Sequence, residues 1–78
     1  MYYIYLLRCK DGSLYCGSTP DVDARARMHN SGQGSKYVRS RDGGTIVYTE
    51  SFATKKEALQ REAAIKKLSK IKKEALLN

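Results

Sequence analysis

Within its first 29 residues the chain carries two tyrosines, an arginine and a histidine that short elements can bring together: Tyr5, Tyr15, Arg25 and His29. Tyr5 closes the tripeptide Tyr3-Ile4-Tyr5, and Tyr15 opens Tyr15-Cys16-Gly17. Arg25 and His29 stand at i and i+4, one helical turn apart. Much later a carboxylate, Glu62, interrupts an otherwise apolar helical stripe. Phenols and imidazoles move protons, a guanidinium holds phosphate, and a carboxylate holds a hard divalent cation. Together these residue types would suit a site that cuts a phosphodiester.

Whether they meet depends on the elements that carry them. Residues 2–8 are rich in aromatic and branched side chains with apolar groups on both faces, as in a central strand. Lys10, Asp11 and Gly12 form a turn, and residues 14–18 a second strand. The hairpin register decides the matter. A two-residue Asp-Gly loop would pair Lys10 with Ser13 and put Tyr5 and Tyr15 on opposite faces. A three-residue loop with Gly12 left-handed pairs Cys9 with Ser13, sets Tyr15 opposite Leu7, and leaves both phenols on one face. The second register is the expected one.

Thr19, Pro20 and Asp21 open a helix, with the Thr19 hydroxyl as cap and proline in the first turn, and Gly32 closes it. Val22, Arg25, Ala26 and His29 share one face, the face that must pack on the sheet. Residues 31–44 read as a basic glycine-rich loop containing Lys36, Arg39 and Arg41, followed by a third strand over residues 45–51. Thr54-x-x-Glu57 is a capping box that begins a long helix, on which Glu62 lies between Leu59 on one side and Ala58 and Ile65 on the other. Ser69 caps a last short helix. The order β-β-α-β-α-α predicts an α+β fold: a three-stranded antiparallel sheet flanked by helices, in a single domain over residues 1–78.

Fifteen Lys and Arg against eight Asp and Glu give a net charge of +7, which makes a polyanion the first partner to consider. From Phe52 onward eight basic residues face three acidic ones. A chain of 78 residues has a thin core and a stability of only a few kcal/mol. No apolar run approaches the length of a membrane span, and no secretory leader is visible, so the expectation is a cytoplasmic monomer without membrane contact. Cys9 and Cys16 are too few and wrongly spaced for zinc, and they point to opposite faces of the hairpin; they read as free thiols.

Each site residue also has a structural reading. Tyrosines pack in strands, His29 can cap its helix, and an Arg25–Glu62 ion pair would satisfy both inward charges. The ordered set nevertheless resembles the GIY-YIG nuclease superfamily, in particular its small stand-alone bacterial members of unassigned role, over nearly the whole chain. Tyr3-Ile4-Tyr5 matches the GIY element, Tyr15-Cys16-Gly17 the YIG element, Arg25-x-x-x-His29-Asn30 the basic helix motif, and Glu62-x-x-Ile65-Lys66 the metal-carboxylate helix. Tyr3 stands where the family has glycine, and Cys16 takes the middle place of YIG.

The resemblance implies a nuclease that hydrolyses DNA phosphodiesters with Mg²⁺ or Mn²⁺, in DNA repair or processing. It makes Tyr5 the proton acceptor for water, with His29 taking the proton onward. Tyr15 would position water or phosphate, Arg25 would hold the scissile phosphate, and Glu62 would carry the metal. Larger family members have a separate DNA-binding module. Without one, DNA contact is expected from Lys36, Arg39 and Arg41 in the loop and from Lys66 and Lys67, or specificity from a partner protein, with weak, salt-sensitive binding. The alternative is a nucleic-acid-binding module of the same fold with little or no turnover.

Overall fold

The structure is a computed structural model that describes residues 1–32 and 43–77. Three antiparallel strands, β1 (Tyr2–Cys9), β2 (Leu14–Thr19) and β3 (Gly44–Phe52), form one sheet in the order β2-β1-β3. Three helices flank it: α1 (Val22–Asn30), α2 (Lys55–Lys66) and α3 (Lys70–Ala75). The element order is the expected β-β-α-β-α-α.

β1 lies in the middle and is covered on both faces, which is why Ile4, Tyr5, Leu6 and Leu7 are all buried without alternation. Ile4, Leu6, Leu14 and Cys16 pack with Ala58 and Ile65 of α2 on one face. Tyr5, Leu7 and Cys9 pack with Tyr15 and Ile46 on the other. Cys9 and Cys16 are free and buried in these separate clusters, as the hairpin geometry requires.

The turn is the three-residue form. Cys9 N–H donates to Ser13 O at 2.8 Å, Gly12 N–H to Cys9 O at 2.9 Å, and Gly12 has φ +90°. Asp11 Oδ1 fixes the turn further by accepting from the Ser13 N–H and hydroxyl. Leu7 pairs with Tyr15 and Tyr5 with Gly17, so both phenols occupy one face.

The start of α1 differs from the sequence reading. The cap is Asp21, whose extended backbone and carboxylate serve Ala24 N–H, and the helix begins at Val22. Thr19 remains a strand residue, paired with Tyr3 and buried, and its hydroxyl is spent on the Asp21 backbone in the turn. Pro20 therefore precedes the cap. At the other end Gly32 has φ +83°, as expected of a helix stop.

β3 carries a bulge: Leu6 pairs with Tyr48 but Leu7 with Ile46, leaving Val47 unpaired. Across it the strand changes faces, so Tyr48 packs with the Ile4 cluster and Ile46 with the Tyr5 cluster. Thr54 caps α2 by accepting from Glu57 N–H, and Ser69 caps α3 by accepting from Lys72 N–H. α3 is fastened to the hairpin by Arg8, which pairs with Glu74 and donates to Gly12 O at 3.0 Å. Among the described residues no helix is long and apolar enough to cross a membrane.

Candidate active site

Tyr5 lies at the centre of β1, opposite Gly17 on β2 and Thr49 on β3. Its ring leans across the neighbouring strand over Gly17. A Cβ there would stand 2.6 Å from the Tyr5 Cζ, inside any tolerable contact. The missing side chain thus leaves the phenol its path, and the hydroxyl reaches His29 Nε2 at 2.9 Å. His29 is delivered by the sheet-facing side of α1, one turn after Arg25.

Tyr5, Tyr15 and His29 form a triangle of rings. Centroids are 6.4 Å apart for Tyr5–Tyr15, 5.8 Å for Tyr5–His29 and 5.7 Å for Tyr15–His29, and both imidazole contacts are edge-on. Tyr5 is 0% exposed and His29 2%, whereas Tyr15 and Arg25 are partly exposed. Burial, with the Tyr15 phenol adding to it, pushes the Tyr5 hydroxyl up to about 12, and the Arg25 guanidinium pulls the other way. Burial also holds the His29 imidazole below its ordinary range, with the Arg25 charge acting in the same direction. Both groups are therefore neutral near pH 7. In that state Tyr5 can donate its proton to Nε2, provided that the ring's own proton sits on Nδ1. Nδ1 is buried and has no hydrogen-bond partner among the described residues.

Glu62 approaches from α2. Its side chain is 16% exposed, and Oε2 lies 2.8 Å from Lys66 Nζ, which in turn stands 5.9 Å from the centroid of the Tyr15 ring. Glu62 also adds its negative charge to the field at Tyr5, so the carboxylate and the phenols share one neighbourhood. The Arg25–Glu62 ion pair considered as a structural role does not form; the partner of Glu62 is Lys66. Among the described residues no three His, Cys, Asp or Glu side chains gather as a ready-made metal cage. A lone carboxylate fits a hard dication that keeps its waters and takes further oxygens from a phosphate.

Comparison with known proteins places this geometry. The model of the GIY-YIG catalytic domain matches residues 1–75. The chain belongs to the GIY-YIG family. A UPF0213 protein of Halobacterium salinarum is 49% identical over 76 residues, covering 97% of this chain and 99% of its own. One from Staphylococcus saprophyticus is 49% identical over 77 residues, with 99% and 94% covered. The solution NMR structure of a UPF0213 protein from Bacillus halodurans superposes with a TM-score of 0.62 at 49% identity, covering 99% of this chain and 83% of that one. GIY-YIG domains are a family of nucleases, in general dependent on divalent metal and acting on DNA.

Of the residues singled out in the sequence, Tyr5, Tyr15 and His29 meet directly, Arg25 acts electrostatically on Tyr5 and His29, and Glu62 borders the group through Lys66. Lys67 is exposed at the C-cap of α2. Lys36, Arg39 and Arg41 lie outside the described residues. Tyr5 and His29 are buried, whereas Tyr15, Arg25 and Glu62 are partly exposed. Two contributors escaped the sequence reading. Gly17 makes room for Tyr5; the signal was its place directly opposite Tyr5 in the chosen register. Asn30, which follows His29, accepts from Gly44 N–H through Oδ1 at 3.2 Å and so ties the end of α1 to the start of β3. No spacing rule points to that tie.

Proposed function

We propose that the protein is an endonuclease dependent on Mg²⁺ or Mn²⁺ that hydrolyses DNA phosphodiester bonds, with branched or damaged DNA in repair or processing as its substrate class. The observation that carries this reading is the Tyr5 hydroxyl on His29 Nε2, with the Tyr15 ring beside both. Hydrolysis requires a proton to leave water as its oxygen approaches phosphorus. Tyr5 with its pKa raised is no base by itself, but a phenol that hands its own proton to His29 can take one from water in the same step. The proton then travels from water to the Tyr5 oxygen and from Tyr5 to Nε2, which ends as imidazolium. Tyr15, the more exposed phenol, is the first that an entering water meets, and it orients that water. Arg25 would hold the scissile phosphate and offset charge that grows in the transition state. Glu62 would hold the metal, which when bound draws charge from the phosphate and favours ionisation of water.

The test is cleavage of labelled duplex, single-stranded and branched DNA in Mg²⁺ or Mn²⁺ by purified protein. Arg25→Ala is expected to lower the rate by about 10²–10³, with Tyr5→Phe and Glu62→Ala at least as severe. Cleavage that survives Glu62→Ala unchanged would overturn the reading. The burial of Tyr5 and His29 favours a second one, a binding module of the same fold without turnover. It predicts salt-sensitive DNA binding, no cleavage, and indifference to Arg25→Ala and Glu62→Ala.

A further inference from the structure

The pair between Glu62 and Lys66 is not an ordinary helix-surface contact. Glutamate four residues before lysine is a common solvent-facing pair of little consequence. Here the carboxylate is largely buried, at 16% exposure, while the lysine is 51% exposed and turns its ammonium back toward the site. Nζ lies 2.8 Å from Oε2 and also above the Tyr15 ring. The carboxylate assigned to the metal therefore already holds a cation belonging to the same chain.

We propose that Lys66 is a built-in competitor for the metal position on Glu62, which makes metal binding and DNA binding depend on each other. The inference rests on Glu62 being the metal ligand of the proposed function. An ammonium and a dication cannot share one carboxylate oxygen at contact distance, because their charges repel. A dication on Oε2 therefore displaces Nζ, and one on Oε1 stands close enough to the ammonium to repel it. Nζ starts 5.9 Å from the centroid of the Tyr15 ring, and a phosphate entering beside that ring would provide the anion that the displaced ammonium has lost. Metal alone must evict Lys66 into water; metal with DNA moves it onto a new partner. The reciprocal follows by linkage: whatever DNA does for metal affinity, metal does for DNA affinity.

The experiment titrates Mn²⁺ into the full chain by electron paramagnetic resonance, alone and with a non-hydrolysable duplex. Lys66→Met keeps the aliphatic stem and removes the charge, and it should bind Mn²⁺ on the order of tenfold more tightly than wild type. Lys66→Arg should stay near wild type, and so should Lys56→Met, which deletes an equal charge from the exposed first turn of α2. Added duplex should tighten Mn²⁺ binding in wild type and much less in Lys66→Met. If Mn²⁺ binding is lost in Glu62→Ala yet equal in wild type and Lys66→Met, the competition is refuted while the metal role of Glu62 stands. If Mn²⁺ binding is absent throughout, or does not depend on Glu62, that role falls and the competition falls with it.

Discussion

Gly17 illustrates how a residue without a side chain can decide a site. The Tyr5 ring crosses β2 where any Cβ would collide with Cζ, and the collision lies on the ring itself, which cannot swing aside as a flexible chain end would. Gly17→Ala should destabilise the fold by about 1–3 kcal/mol in denaturant titration and also disrupt the Tyr5–His29 hydrogen bond, so that cleavage falls further than stability. The hydrogen-bonded pair itself has a signature in pH. Because burial holds His29 below 6.5, an unfolded chain takes up a proton in a range where the native one does not. Stability is therefore full above about pH 6.5 and declines as pH falls below it. Melting temperatures recorded downward from neutral pH should drop more steeply in wild type than in His29→Gln; equal slopes would mean that His29 protonates freely in the native state. Sequence spacing located these residues because a four-residue step fixes a helix face. It could not tell depth. Face and depth are different properties, and the burial of Tyr5 and His29 follows from packing around both, which no periodicity encodes.

At the level of elements, the hairpin was legible because only one loop length keeps Tyr5 and Tyr15 together, and Gly12 supplies the positive φ that this loop needs. Helix starts were legible where one cap competes alone, as at Thr54, and less so where Thr19 and Asp21 compete within three residues. Thr19 lost because its backbone is still committed to Tyr3 in the sheet, which leaves Asp21 as the first residue free to turn into α1. The two capping interactions make a matched prediction. Asp21→Ala and Thr54→Ala should each cost about 1 kcal/mol by chemical denaturation, and Asp21→Ala should also lower cleavage, because α1 alone carries Arg25 and His29. A loss of activity in Thr54→Ala as large as in Asp21→Ala would mean that α2 placement is equally critical, through Glu62. The bulge at Val47 was not legible: Ile46, Val47 and Tyr48 form an apolar run that fits a continuous strand equally well, and the change of face depends on pairing with Leu6 and Leu7.

For the whole molecule, the net charge of +7 has to be understood together with where the described charges go. Arg8 and Arg61 are not available to a polyanion in full, since Arg8 is held by Glu74 and Arg61 by Glu50 at 2.9 Å. Lys67, Lys70 and Lys72 are exposed in the segment from the end of α2 through α3, with Lys66 beside them. If these lysines meet the phosphates of the proposed DNA substrate, binding proceeds by counterion release, with little sequence discrimination. Each phosphate contact contributes a slope of about −0.9 to the dependence of log affinity on log salt. With roughly four contacts, raising salt from about 50 to 200 mM should weaken binding on the order of a hundredfold, largely regardless of sequence. Fluorescence anisotropy with unrelated duplexes of equal length checks this, and Lys70→Ala or Lys72→Ala should each flatten the slope by about one unit while leaving the metal site intact. An affinity that resists salt, or that differs strongly between sequences, would require hydrogen bonds to base edges in addition to phosphate contacts, and would overturn the purely electrostatic account of binding.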